Sequence, residues 1–398
     1  MNVIFVSPHF PETYWQFCDR LKQNGATVLG IGDSPYEYLG EHLHDVLDEY
    51  YYVPSMENYD DMFRAVAYYS WRYGKIDWLE SNNEYWLSQD ARLRTDFNIS
   101  TGANSEQMAL WQSKASMKPL YAAGGVPTAR QIRASSLDEA RAFANEVAFP
   151  LFAKPERGVG SDGGRKIGND HELEDFFYHM PPVPYVLEEF VTGDICAYDA
   201  ILNAQGDPIF ENQDEFPPSM SELVERQLDL SYYCTPSLDP KLQALGRAAA
   251  KGFGLKSRFV HMEFFRLTQD KPGLGRAGDY VGLEVNVRPP GGYSPDMMNF
   301  AHATDVYRIW ADMVCYNSTL FPQYLENYYC VYAGRRDCHR YLHSHEEVLN
   351  RYNTRLMMQW RMPDALSDDM GNHMYVARLG TDEERKEFVS FVQQQRED

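Results

Sequence analysis

An apolar run, Phe149-Pro150-Leu151-Phe152-Ala153, leads straight into a lysine, Lys154, and then into a glycine-rich stretch, Gly158-Val159-Gly160-Ser161-Asp162-Gly163-Gly164. A lysine at the end of a buried strand needs a partner, and phosphate is a natural one. The stretch matches G-x-G-x-x-G, but a dinucleotide fingerprint opens a helix whose N-terminus faces a pyrophosphate. Here Arg165-Lys166-Ile167-Gly168 follows and reads as a second strand. A glycine hairpin laid over phosphates fits better, because it presents backbone N–H groups without side-chain bulk. An ordinary loop is the plain alternative. No G-x-x-x-x-G-K-[ST], D-F-G or G-x-S-x-G occurs, so P-loop, protein-kinase and α/β-hydrolase readings find no support.

A second pattern concerns carboxylates. Glu263, in His261-Met262-Glu263-Phe264-Phe265, and Glu284-Val285-Asn286 lie on two neighbouring strand-like runs. Period-two alternation places Glu284, Asn286 and Arg288 on one face. Two carboxylates and an amide oxygen are hard donors of the kind Mg²⁺ takes beside substrate phosphates. A solvated strand face is the alternative, and the apolar neighbours Phe264, Phe265, Leu283, Val285 and Val287 argue against full solvation. Cys330, Cys338, His339, His343 and His345 match no standard zinc spacing.

The opening of the chain sets the architecture. Val3-Ile4-Phe5-Val6, a helical pattern through Trp15, Phe17, Cys18 and Leu21, and Thr27-Val28-Leu29-Gly30-Ile31 form a parallel βαβ pattern. An α/β lobe is expected over residues 1–105. One helical pattern runs from Gln107 to Ala123, carries Lys114 and Lys118, and stops at Gly124-Gly125. A helix opened by Ser136-x-x-Glu139 follows, and from Val183 to about Asn317 strand-like runs alternate with loops. Ser344-x-x-Glu347 opens a helix in the tail. The net charge of −21 speaks against nucleic-acid polymers and anionic membranes, though not against a single nucleotide. No stretch approaches the roughly 20 apolar residues that cross a bilayer. The N-terminus has no basic segment before its short apolar run, and the six scattered cysteines contain no C-x-x-C. A cytoplasmic protein with reduced thiols and no signal peptide is expected.

Taken in order, these pieces resemble the ATP-grasp superfamily, and within it the stand-alone carboxylate–amine ligases of L-amino-acid ligase type. The likeness covers roughly residues 75–305. It runs from Glu84 and Leu87 through Gly102, Lys114, Lys118 and Gly125-Val126-Pro127 to Lys154 and its glycine loop. Glu188-Glu189-Phe190-Val191-Thr192-Gly193, Glu263 and Glu284-Val285-Asn286-Val287-Arg288-Pro289-Pro290-Gly291-Gly292 complete it.

The resemblance implies an α/β and α+β chain. Its parts are a parallel pre-ATP-grasp lobe over 1–105, an ATP-grasp domain over 106–320 and a C-terminal subdomain over 321–398. Within the middle part, a small nucleotide lobe covers about 115–190 and a metal and substrate lobe about 191–320. By the same resemblance Lys114 and Lys154 hold ATP phosphates under a lid with Gly160, Ser161 and Gly163. Glu188, Glu189, Phe190 and Val191 form the adenine hinge. Ile195 stands where the family often has a ribose-binding acid, with Asp194 beside it to serve. Glu263, Glu284 and Asn286 correspond to the Mg²⁺ ligands, with Mn²⁺ able to substitute. Arg288 corresponds to the catalytic residue that meets the acyl phosphate, with Glu84, Gly291 and Gly292 on the substrate side.

The implied reaction activates a carboxylate as an acyl phosphate and joins it to an amine, on amino acids or small acids. A homodimer is the implied assembly, with neither nucleic acid nor membrane as partner. A purine-pathway ligase and a non-catalytic ATP-binding protein are alternatives, the latter disfavoured by retention of both lysines and all three ligand candidates. Biotin carboxylase continues its arginine motif with Gln-Val-Glu-His, whereas Arg288 is followed by Pro-Pro-Gly-Gly-Tyr, so carboxylation is the weaker branch.

Overall fold

A computed structural model describes residues 1–158, 163–217 and 228–396. Strands β1 (Asn2–Val6), β2 (Thr27–Gly32), β3 (Glu49–Tyr52) and β4 (Trp78–Glu80) form a parallel sheet in the order β3-β2-β1-β4. Alternation sends Val3, Phe5 and Val28 to one face, against Phe17 and Leu21 of the helix Trp15–Gln23. It sends Ile4, Val6, Leu29 and Ile31 to the other, against Met62, Val66 and Tyr69 of the helix Tyr59–Tyr73. With both faces covered, these strands are continuous apolar runs. The chain leaving the carboxyl end of β4 carries Asn82, Asn83 and Glu84, on the side of a parallel sheet where ligands collect.

The next four strands are β5 (Gln131–Arg133), β6 (Leu151–Pro155), β7 (Arg165–Ile167) and β8 (Tyr185–Glu189), antiparallel in the order β5-β8-β6-β7. One face packs Leu151, Ala153, Ile167 and Leu187 beneath the helices Leu137–Val147 and Asp170–His179. Lys154 and Glu188 belong to the alternate positions, so they emerge together on the opposite face. β6 and β7 pair antiparallel, and residues 159–162 between them, Gly160 and Ser161 included, lie outside the described residues.

The remaining strands are β9 (Gly193–Leu202), β10 (Pro208–Phe216), β11 (Ser231–Cys234), β12 (Arg258–Leu267), β13 (Tyr280–Asn286), β14 (Tyr329–Arg335), β15 (Leu356–Arg361) and β16 (His373–Leu379). They build one antiparallel sheet in the order β13-β12-β9-β10-β11-β14-β16-β15. Helices Lys114–Gly124 and Pro240–Phe253 cover one face through Met117, Tyr121, Leu242, Ala249 and Phe253. They meet at glycines. A Cβ on Gly252 would lie 2.4 Å from the Leu120 carbonyl oxygen, and one on Gly124 2.4 Å from that of Ala248. The other face packs Ile201, Phe210 and Phe259 with Met297 and Trp310, and Trp310 also meets Phe5 and Phe17 of the parallel-sheet layer.

Two expectations are corrected. The helical pattern over Gln107–Ala123 is two helices, Ser105–Trp111 and Lys114–Gly124. Ser113 breaks it, because its Oγ accepts the Ser116 N–H at 3.2 Å and founds a new N-terminus. The stretch 183–317 holds the helices Pro240–Phe253, Ser294–His302 and Val306–Tyr316 besides its strands. The first announces itself through the capping Asp239, Pro240 in the first turn, and buried Leu242, Gly246, Ala249, Ala250 and Phe253 at helical spacing. Among the described residues no helix is long and apolar enough to cross a membrane.

Candidate active site

Lys114 opens its helix just past the end of β6, its backbone N–H donating to the Glu156 carbonyl at 3.0 Å. Its buried Nζ donates to the Gly158 carbonyl at 2.8 Å and lies 3.2 Å from Glu284 Oε1. One turn later Lys118 Nζ lies 2.8 Å from Glu188 Oε1, and Lys154 Nζ lies 2.8 Å from Glu188 Oε2. Glu188 therefore has an ammonium on each carboxylate oxygen. Burial opposes its charged form, yet Lys154 and Lys118 outweigh burial and hold the carboxyl down to about 2. Burial, with Lys154 nearby, lowers the pKa of Lys118 in spite of Glu188.

The rest of the expected hinge divides its tasks. Glu189 accepts the Arg130 backbone N–H at 2.8 Å and its guanidinium at 2.9 and 3.2 Å. Lys166 Nζ sits 4.4 Å from the Phe190 ring centroid. Val191 is buried with Ala129, Leu267 and Val281. Asp194 lies 3.3 Å from Arg266, whose closer contacts are to Glu215 at 2.9 and 3.0 Å. Gly163 adopts φ +71°, and its carbonyl accepts the Tyr185 hydroxyl at 3.3 Å.

On β12 and β13, Glu263 stands directly opposite Glu284, and His261 opposite Asn286. A bulge after Glu263 shifts the register only beyond this group. Burial raises the pKa of Glu284, with Glu263 adding to it against Lys114. Glu263 is held low, because His261 and Arg288 overcome its burial. His261 is pushed up to about 9, Asp199 prevailing over burial. Among the described residues no three His, Cys, Asp or Glu side chains gather as a metal cluster, so the donor set here is two carboxylates and one amide. Two facing carboxylates, one of them destabilised in its charged form by the other, suit a hard divalent cation.

Arg288 Nε lies 3.0 Å from Glu84 Oε2, and its Nη1 donates to the Pro289 carbonyl at 2.9 Å. Glu284, Asn286, Arg288, Gly291 and Gly292 form one wall of a cavity of about 660 Å³, and Asn82, Asn83 and Glu84 form another. Phe10, Pro11, Leu87, Trp111 and Leu366 supply its apolar lining. Gly292 has φ +61°, the left-handed region that favours glycine, and a Cβ there would displace the end of the Met370 side chain, 2.5 Å away.

Three features escape a reading of local motifs. Lys118 shares Glu188 with Lys154. Asp199 lies 2.7 Å from His261. Arg258 donates to the Val287 carbonyl at 3.0 Å and lies 3.4 Å from buried Glu80, bracing the strand end that bears Arg288. A signal existed for His261, which precedes Glu263 by two and so shares its face.

No family model matches the chain. Alanine–anticapsin ligase of Bacillus subtilis (strain 168) is 22% identical over 292 residues, which cover 67% of this chain and 59% of that protein. The chain thus spans about 59% of the length of this curated relative. The crystal structure of L-amino acid ligase from Bacillus licheniformis superposes with a TM-score of 0.70 at 15% identity, covering 98% of this chain and 95% of that one. Phosphoribosylglycinamide synthetase from Anaerococcus prevotii gives a TM-score of 0.67 at 13% identity, covering 97% and 96%. At these identities the superpositions establish a common fold.

Proposed function

We propose, from the premise that this chain has the ATP-grasp fold it shares with those ligases, that it joins a carboxylate to an amine at the expense of ATP, releasing ADP and phosphate. The supporting observation is the common wall: Glu284, Asn286 and Arg288, from one strand and its end, line a single cavity with Glu84. In this reading two of the proposed cation ligands and a guanidinium that binds the acid share one space.

A carboxylate is a poor electrophile. Attack of its oxygen on the γ-phosphorus of ATP releases ADP and leaves an acyl phosphate, from which an amine displaces phosphate. The protein's task is positioning and charge stabilisation more than acid–base work. In this reading Lys114 and Lys154 bind the phosphates, and Gly160, Ser161 and Gly163 belong to the loop that covers them. Lys154 exchanges Glu188 for a phosphate partner while Lys118 stays with Glu188. Glu188, Glu189, Phe190 and Val191 form the adenine side, and Asp194 the ribose side. Glu263, Glu284 and Asn286 would hold Mg²⁺, or Mn²⁺ in its place, and the ion when bound supplies charge neutralisation at the phosphoryl group. Arg288 clamps the acid's carboxylate. Glu84 orients that guanidinium, and the Gly291 and Gly292 backbone completes the substrate side.

The same reading divides the chain into lobes over 1–105, 106–320 and 321–398, and places it in the cytoplasm as a homodimer acting on amino acids or small acids. The test is ADP release with Mg²⁺, ATP and an amino-acid mixture, with products weighed by mass spectrometry. A ligase gives ADP that depends on the added amino acids, and a product lighter by one water than the sum of its two parts. A binding protein gives neither.

A further inference from the structure

Beside Glu263 and Asn286 lies a row of polar side chains, Asn212, Asp199 and His261, that are buried and that the reaction above does not use. Asn212, Asp199, His261 and Asn286 are directly opposite one another on β10, β9, β12 and β13. Asp199 is fully buried, Asn212 is 1% exposed and His261 5% exposed. Asp199 Oδ2 accepts from Asn212 Nδ2 at 3.2 Å, and its Oδ1 lies 2.7 Å from His261 Nδ1. His261 Nε2 in turn lies 3.3 Å from Glu263 Oε1. His302 Nε2, 3.0 Å from Asn212 Oδ1, anchors the far end of the row. Asn212, Asp199 and His261 are buried polar groups in register, costly unless each is paired, and each of the three has a partner.

His261 is thus next to two proposed ligands at once, beside Glu263 along its strand and opposite Asn286 across the ladder. Resting on the cation-site reading of Glu263, Glu284 and Asn286, we propose that Asp199 and His261 are positioning residues. Asp199 fixes the ring of His261, His261 holds Oε1 of Glu263, and Oε2 is left as the oxygen offered to the cation. Among the described residues Oε2 has no ion-pair or hydrogen-bond partner. Partners of this kind behind a ligating carboxylate typically change metal affinity by about ten- to a hundred-fold when removed.

The experiment measures Mn²⁺ affinity by electron paramagnetic resonance on the full chain saturated with ATP, for the wild type and for Asp199→Asn, His261→Gln, Glu263→Gln and Asp199→Asn/Glu263→Gln. ATP affinity in EDTA is measured alongside. Asp199→Asn and His261→Gln should each weaken Mn²⁺ by about ten-fold or more with metal-free ATP binding unchanged. The double variant should match Glu263→Gln alone. If Glu263→Gln weakens Mn²⁺ while the other two single variants stay within two-fold of wild type, the positioning role is overturned and the cation site stands. If Glu263→Gln itself has no effect, the cation-site reading fails and the inference with it. Losses that add in the double variant also overturn it, since His261 then acts by another route. Should Asp199→Asn not fold, His261→Gln and His261→Gln/Glu263→Gln decide the matter in the same way.

Discussion

Arg288 Nε lies 3.0 Å from Glu84 Oε2, so a residue just past β13 is tied to one just past β4 across 204 positions of sequence. Glu284, on the same strand face as Arg288, has Lys114 as its partner at 3.2 Å. The guanidinium, itself lining the cavity, is thus held by a carboxylate that lines the same cavity.

Arg288→Lys keeps a positive charge but loses the planar fork. ATP affinity should survive, while acid-dependent ADP formation falls ten-fold or more, about 1.4 kcal/mol or above. Steady-state kinetics beside calorimetry separates the two. A variant with lower thermal stability and unchanged turnover per folded molecule would show that the Glu84 pair is only structural.

Lys154→Ala should leave the fold intact, because Glu188 keeps Lys118 at 2.8 Å. Loss of one charge-assisted contact to phosphate should weaken ATP by about 1.5–3 kcal/mol. Calorimetric titration of ATP measures this directly, and wild-type affinity in the folded variant would remove Lys154 from the phosphate site.

Glu284→Gln is close to isosteric, and Lys114 retains the Gly158 carbonyl at 2.8 Å. The variant should fold and lose Mg²⁺-dependent turnover by at least ten-fold, about 1.4 kcal/mol. An unchanged Mg²⁺ requirement and rate would assign Glu284 to the lysine pair alone.

Glu188 also sets a pH dependence. Its carboxyl sits at about 2 in the folded chain against an ordinary 4.5. Such a group contributes stability that is fully present above about 4.5 and is lost as pH falls toward 2. At roughly 1.36 kcal/mol per unit the contribution is on the order of 3 kcal/mol. Urea midpoints measured across this window should fall steeply for the wild type and less so for Glu188→Gln. Parallel curves would mean the two lysines do not hold the carboxylate.

The parts of the site legible in the sequence are those carried by local patterns. Lys154 stands between an apolar strand and a glycine turn, and Glu284, Asn286 and Arg288 follow a period of two; both patterns lie within a few residues. The Glu84–Arg288 contact and the Asp199–His261 pair depend on strand order and register, which no local pattern states. β10 hid for a different reason. Its Glu211-Asn212-Gln213-Asp214-Glu215 is polar throughout, yet all five are buried. Arg247 pairs with Glu211, Arg266 with Glu215, and Asn212 bonds both Asp199 and Asp214. Burial there rests on partners from other strands and a helix, so composition misleads. The break at Ser113 is visible only once its hydroxyl is seen capping a helix.

The central claim is that a carboxylate oxygen takes the γ-phosphoryl group of ATP in the cavity lined by Glu284 and Arg288. Isotope transfer tests it most directly. Amino acids labelled with ¹⁸O in the carboxylate are incubated with the protein, ATP, Mg²⁺ and unlabelled water, and the released phosphate is analysed by mass spectrometry. Passage through an acyl phosphate puts one ¹⁸O into each phosphate formed. ADP formation that depends on the added acids but yields phosphate without ¹⁸O would contradict the account.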